Sequence, residues 1–162
     1  ENPMSNPLEM TDAVKLLEAF LLEAFESVQN QPLFINRGTS LFQTLAEITA
    51  EQASQPMGAC ATIAAHVDHI RYYLEVLEDF MFKNDLSYVD WNTIWDSVST
   101  VSDEEWQTIN ANLKASYDRI KAHLSSDEVW KSIHEVSAMM GIIVHTAYHL
   151  GEIRQMMCRL KS

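Results

Sequence analysis

Residues 141–155 read GIIVHTAYHLGEIRQ. They lie in a segment, residues 57–162, that contains no proline, because all four prolines occur at or before position 56. Apolar residues recur through this segment at intervals of three and four, which is the period of a helix that buries one face. Proline-free sequence with that period is typical of long helices. The pattern predicts an all-α protein.

Four long helices and one short connector helix are predicted from apolar spacing and capping signals. The run Ser-Asp-Glu-Glu at 102–105 is a capping box that begins a helix. Thr11 and Asp12 are candidate N-caps of the first helix, and Ser40 is the candidate N-cap of the connector. Pro56 ends the connector, because the residue before a proline is disfavoured in the α region. The predicted ranges are 11–29, 40–54, 57–83, 102–123 and 127–160, the last with a candidate interruption at 131–135.

These helices predict a four-helix bundle with the connector between its first and second members. Bundle interiors commonly hold metal ions between facing helices. Gly141 and Gly151 lie inside the last predicted helix, where glycine lowers helix propensity. We therefore expect both glycines at close contacts with other helices.

The length, net charge and composition of the chain limit the classes of protein to which it can belong. Residues 4–162 are predicted to form one domain, since 162 residues is an ordinary length for one core. The net charge of −12 repels phosphate backbones and anionic lipids, so neither nucleic acid nor a membrane surface is expected as a partner. No apolar run of about 18 residues and no secretory signal is visible, which predicts a cytoplasmic protein. Cys60 and Cys158 lie in apolar stretches, which predicts buried thiols rather than a disulfide.

His145 and His149 have the spacing of metal ligands. Residues four apart lie on one face of an α-helix, about 6 Å apart along the axis, so both imidazoles can reach one ion. The second long helix carries His66 and His69, both expected on its core side, and either one would complete a set of three. Such sets leave a coordination position open to water or substrate. The alternative is a pair of core histidines satisfied by hydrogen bonds.

The same residues resemble a known family. Residues 145–155 are similar to the last-helix signature of the DinB/YfiT-like superfamily, H-x-x-x-H-x-G-x-I-R. Residues 65–68, which read AHVD, resemble its second-helix element, and Asp90, Trp91 and Trp95 resemble its aromatic loop. Two elements in the right order are more specific than a histidine pair alone.

The resemblance implies a four-helix bundle of unusual connectivity, a homodimer, and one divalent metal ion held by His66, His145 and His149. Some members of the superfamily are thiol-S-transferases that use bacillithiol or mycothiol, one is a mycothiol-dependent isomerase, and many have no established activity. The chain departs from the family pattern at His69, three residues after His66. His69 is therefore an alternative metal ligand, or a residue that supports a ligand.

A three-histidine site is expected to activate water or a thiol. Imidazole suits several divalent ions, and zinc or nickel is expected here. Such an ion lowers the pKa of water or of a thiol, and Asp68 and Glu152 are candidate general bases beside it. The alternative for both carboxylates is contact with solvent or ion pairing with Arg71 or Arg154. The expected substrate is a small molecule such as a low-molecular-weight thiol.

Hypotheses of different classes follow from the sequence. The first is a divalent-metal-dependent enzyme, either a hydrolase or a thiol-S-transferase. The alternative is a non-catalytic helical module that binds a small ligand or acts as a dimer in a stress response. A dimerisation scaffold whose histidines only pack is a third interpretation.

Overall fold

A computed structural model describes residues 9–91, 95, 97–126 and 130–161. Within these ranges the chain is helical and contains no β-strand, which confirms the all-α prediction. An isolated bridge joins Met57 and Cys60. Six helices are described: α1 (Met10–Phe25), α2 (Leu41–Leu45), α3 (Ala50–Ala53), α4 (Ile63–Lys83), α5 (Asp103–Leu124) and α6 (Ile133–Leu160).

The helix α4 is central to the packing. It contacts α6 and α5 along much of its length, while α1 packs against the same two helices. Its apolar side chains recur at intervals of three and four, so Ile63, Ile70 and Leu74 are fully buried in one hydrophobic core. Full burial of such a side chain contributes about 1.5–3 kcal/mol. This packing brings the first half of α4 against the middle of α6.

The N-termini of the long helices follow local capping signals. Ser102 accepts a hydrogen bond from the backbone N–H of Glu105, so α5 begins where the capping box predicts. Ser132 caps α6 in the same way, whereas the prediction began that helix at residue 127; residues 127–129 lie outside the described residues. The helix α4 begins at Ile63 rather than at residue 57, because Thr62 is its N-cap and Gly58 has a φ of 66°.

The first helix and the connector differ from their predicted ranges. Glu9, rather than Thr11 or Asp12, is the N-cap of α1, and Asp12 completes the capping box. The helix ends at Phe25, and Val28 is buried beyond its end, so the apolar pattern continues after the helix has stopped. The connector consists of two short helices, because Thr49 caps a new one after α2.

The glycines and cysteines correct two predictions. A Cβ on Gly141 would lie 3.0 Å from a side-chain carbon of Leu77, so a close helix contact is confirmed there. Gly151 is exposed and has no such neighbour within 4 Å, so the prediction is wrong at that position. Cys60 and Cys158 are both exposed and free, so the prediction that these thiols are buried is wrong. No described helix combines the length and the apolar character needed to cross a bilayer.

Candidate metal centre

Four histidines meet where α4 packs against α6. His66 and His69 lie on α4, and His145 and His149 lie on α6. Spacings of three and four residues keep each pair on one helix face, so both pairs project into the same interface. His66, His69 and His149 are buried and His145 is partly buried. The expected core-side position of His66 and His69 is confirmed.

One group of three imidazoles converges through Nε2 atoms. Nε2 of His145 lies 3.1 Å from Nε2 of His69 and 3.1 Å from Nε2 of His149. All three side chains place a candidate ligand atom within 4.8 Å of the others. Two metal–nitrogen bonds of about 2.0–2.1 Å at a tetrahedral angle hold their nitrogens roughly 3.3 Å apart. The observed separations are close to that value, so the group fits a divalent ion.

A second group lies on the other side of the His149 ring. Nδ1 of His149 is 2.7 Å from Oε2 of Glu152 and 3.2 Å from Nδ1 of His66. Nδ1 of His66 is 3.5 Å from the same carboxylate oxygen. The 2.7 Å between Nδ1 of His149 and Oε2 of Glu152 is the length of a charge-assisted hydrogen bond. This separation is too short for two atoms that bind one ion. The Nε2 group therefore fits a metal better than this group does.

The protons of the imidazoles do not satisfy the Nε2 contacts. A carboxylate only accepts hydrogen bonds, so the contact between Glu152 and His149 is satisfied by the tautomer that carries its proton on Nδ1 and keeps a lone pair on Nε2. A proton on Nε2 of His145 would have to be shared between Nε2 of His69 and Nε2 of His149. A proton on Nε2 of His69 would instead leave the lone pairs of His145 and His149 facing each other at 3.1 Å. A cation among the three atoms removes this conflict, because it accepts all three lone pairs.

The environment of the cluster keeps its imidazoles neutral. Burial, aided by repulsion from neighbouring imidazoles, lowers the pKa of His69 to about 4 and that of His145 to about 3. Burial and the nearby His149 lower the pKa of His66, and burial lowers the pKa of His149 although Glu152 opposes the shift. A neutral imidazole is the form that binds metal. All four rings are therefore in the ligating form near pH 7.

Aromatic side chains fix the planes of two of these rings. Trp95 stacks on His69 with ring centroids 4.1 Å apart, and it meets His66 edge-on. Tyr73 stacks on His145 at 3.6 Å with an angle of 6° between the planes. The sequence indicated Trp95 only through the family resemblance. The spacing of seven residues between His66 and Tyr73 is the signal that places both on one face.

The two candidate general bases have different surroundings. Asp68 accepts a hydrogen bond from Nε of Arg71 at 2.7 Å, and Nη1 of Arg71 also donates to Glu75 at 2.6 Å. The ion-pair alternative therefore describes Asp68, which belongs to neither histidine group. Glu152 instead contacts His149, and it accepts a hydrogen bond from the hydroxyl of Tyr148.

The structure divides the predicted ligands between the two groups. His145 and His149 come together as predicted, but the side chain of α4 that joins them through Nε2 is His69. His66, which the family resemblance places in the ligand set, shares its group with His149 and Glu152. Both residues lie on the same face of α4, so only the packing of α4 on α6 distinguishes them. The distances favour His69, and the choice of ligand stays a prediction.

Comparison with family models, curated proteins and solved structures finds no match to this chain. The likeness to the DinB/YfiT-like superfamily therefore depends on residues 65–68 and 145–155 and on the aromatic loop. The chemistry of the centre depends on the geometry of its own side chains.

Proposed function

We propose that this chain is a divalent-metal-dependent enzyme of the DinB/YfiT-like kind, with one ion held by His69, His145 and His149. The observation that carries the proposal is the convergence of three neutral imidazoles through Nε2 atoms: Nε2 of His145 lies 3.1 Å from Nε2 of His69 on α4 and 3.1 Å from Nε2 of His149 on its own helix. The motif at residues 145–155 supports the same assignment. Zinc or nickel is the proposed ion, because both accept imidazole ligands in sites with an open position.

The proposed reaction is attack by water or a thiol on a small substrate. A divalent ion in this centre supplies Lewis acidity, which lowers the pKa of water or of a thiol and so provides a nucleophile near neutral pH. The three ligands are neutral and leave the positive charge of the ion undiminished. Trp95 and Tyr73 hold two of the rings in place. Hydrolysis and thiol-S-transfer share these requirements, and a low-molecular-weight thiol is the proposed substrate class.

The finer architecture is part of the same proposal. The long helices α1, α4, α5 and α6 would form the four-helix bundle of this superfamily, with α2 and α3 as the connector between the first two. Two chains would pair as a homodimer. Support comes from the order of the long helices and from the histidines on the second and last of them.

Metal content tests the proposal. Protein purified without chelators and without a nickel column is analysed for metals beside the variants His69→Ala and His149→Ala. We expect about one equivalent of zinc, nickel or iron in the wild type and loss of that metal in both variants. His134→Ala is the matched control, because His134 lies on α6 and contacts Phe80 rather than the cluster. The control should keep the metal.

Two other outcomes would change the proposal. A wild-type protein that stays metal-free after exposure to zinc and nickel contradicts a metal-dependent enzyme and favours the non-catalytic ligand-binding module. Loss of metal in His66→Ala together with retention in His69→Ala would assign the ligand of α4 to His66. With the metal established, screening of thiol-transfer and hydrolysis substrates separates the two reactions.

A further inference from the structure

The carboxylate of Glu152 lies where it can decide which nitrogen of His149 is free. Oε2 of Glu152 is 2.7 Å from Nδ1 of His149. The two residues are three positions apart on α6, so the helix itself brings them together. A neutral imidazole carries one proton and offers a lone pair only on its other nitrogen. The position of that proton therefore determines whether Nε2 of His149 can bind an ion.

We propose that Glu152 is a positioning residue that keeps the proton of His149 on Nδ1, so that Nε2 is free to join His69 and His145. The inference rests on the proposed metal-binding function. Carboxylates that accept a hydrogen bond from a ligating histidine fix its tautomer and raise its basicity. Without the carboxylate the proton can move to Nε2, where it points at Nε2 of His145. The lone pair that the metal needs is then lost.

Geometry separates this role from general-base catalysis. Glu152 contacts the Nδ1 side of the imidazole, whereas the other imidazoles of the Nε2 group meet its Nε2 side. In the proposed role the carboxylate therefore acts through His149. The proposed role is an alternative to the general-base role that the sequence predicts for Glu152, and that general-base role stays a prediction.

The surroundings of Glu152 suit an ionised acceptor. Its side chain is 37% exposed, whereas that of His149 is 6% exposed, so water solvates the carboxylate while the ring it contacts is buried. The hydroxyl of Tyr148 also donates to Glu152. Nδ1 of His66 lies 3.5 Å from Oε2. These neighbours hold the carboxylate in the orientation that meets Nδ1 of His149.

Zinc affinity is the first test of the proposal. Glu152→Ala removes the acceptor, whereas Glu152→Gln keeps an acceptor oxygen on a side chain of the same length. Zinc ions alone are the probe, and their Kd is measured by competition with a chromophoric chelator. We expect Glu152→Ala to weaken zinc binding by about 10- to 100-fold, and Glu152→Gln to restore much of the affinity. Glu51→Gln, at an exposed glutamate of α3, controls for the loss of one negative charge.

The tautomer of His149 in the metal-free protein is the second test. Nitrogen NMR of the imidazole identifies which ring nitrogen carries the proton. We expect an Nδ1–H tautomer in the wild type and in Glu152→Gln, and a shift toward Nε2–H in Glu152→Ala. An Nε2–H tautomer in the wild type, or unchanged zinc affinity in Glu152→Ala, overturns the positioning role. If the wild type binds no zinc, the proposed function fails. The spectra still decide the role of Glu152. If His149 keeps its Nδ1–H tautomer in Glu152→Ala, the positioning role is overturned. If His149 loses that tautomer in Glu152→Ala, the positioning role is supported.

Discussion

Two buried polar sites of this chain are built in opposite ways. Near the end of α1, Glu23 is 3% exposed, and its carboxylate accepts hydrogen bonds of 2.8–3.0 Å from the backbone N–H groups of residues 33–35. Between α4 and α6, four imidazoles face one another. In the part of the chain that the structure describes, Nδ1 of His69 and Nδ1 of His145 are buried without a hydrogen-bond partner. The first site is complete within the protein, and the second is not.

Under the proposed function, this difference distinguishes a polar group that serves the fold from polar groups that hold a metal ion. Burial of a polar group costs free energy unless its hydrogen bonds are made. Three backbone donors offset that cost for Glu23, whose carboxylate fixes the loop after α1. The Nε2 atoms of His69, His145 and His149 contact one another at 3.1 Å with no arrangement of their protons that satisfies every contact, so a bound ion is expected to stabilise the cluster. The two sites should therefore respond differently to metal, mutation and pH.

Addition of zinc should give the largest difference between the two sites. A ligand that binds only the folded state, at 1,000 times its Kd, raises the free energy of unfolding by about 4 kcal/mol. We expect zinc to stabilise the wild type and Glu23→Ala alike, but not His145→Ala. Urea unfolding followed by circular dichroism, with and without zinc, measures the effect. Equal stabilisation of His145→Ala would mean that zinc binds outside the cluster.

Removal of the Glu23 carboxylate should give the largest effect on the metal-free protein. Glu23→Ala takes the acceptor away from three backbone N–H groups, and hydrogen bonds to a charged group are each worth about 1.5–3 kcal/mol. Since water can reach part of this exposed loop, we expect a total loss of about 2–3 kcal/mol in urea unfolding. Glu18→Ala, at an exposed position of α1, is the control and should change stability by less than about 0.5 kcal/mol. A Glu23→Ala protein as stable as this control would contradict a structural role for the carboxylate.

The sequence predicts those parts of the two sites that depend on local signals. The spacing of His145 and His149 determines that they share a helix face, whatever else the chain does. The capping box at Ser102 likewise begins α5 through contacts within one turn. Because helical period and capping depend on residues within a few positions, the helix type, the shared face of His145 and His149 and the core side of α4 are all predictable.

The remaining features depend on contacts between distant residues, and the sequence does not predict them. Glu23 has the appearance of an ordinary helix glutamate, and its role depends on backbone donors ten to twelve positions later. The end of α1 at Phe25 rather than near residue 29 is likewise not visible in the local apolar pattern. The choice between His66 and His69 depends on a small rotation of α4 against α6. The helical period of 3.6 residues does not determine that rotation, because it places both His66 and His69 on the buried face of α4.

For each titrating group, the change of stability per pH unit should be the smallest of these effects, and the two sites should act in different pH ranges. Burial lowers the pKa of His69 to about 4 and that of His145 to about 3, from 6.5. Between these values the unfolded chain binds more protons than the folded one. The free energy of unfolding therefore falls as the pH falls below 6.5, by at most about 1.4 kcal/mol per pH unit for each proton.

The Glu23 site acts at lower pH. Burial raises the pKa of Glu23, but hydrogen bonds from residues 33–35 outweigh the effect of burial and lower that pKa below 4.5. The stabilisation by Glu23 is thus present above 4.5 and is lost as the pH falls through the lowered pKa.

The variant His145→Phe separates these two ranges. Phenylalanine keeps a ring against Tyr73 and removes one titrating group, so the chelator-treated variant should lose less stability than the wild type as the pH falls from 6.5 to 4.5. Urea midpoints measured at several pH values in that range provide the comparison. Equal slopes for the two proteins would mean that the folded and unfolded chains protonate His145 equally well. In that case burial would not lower the pKa of His145. The cluster would then take up protons in the same way as an exposed pair of histidines.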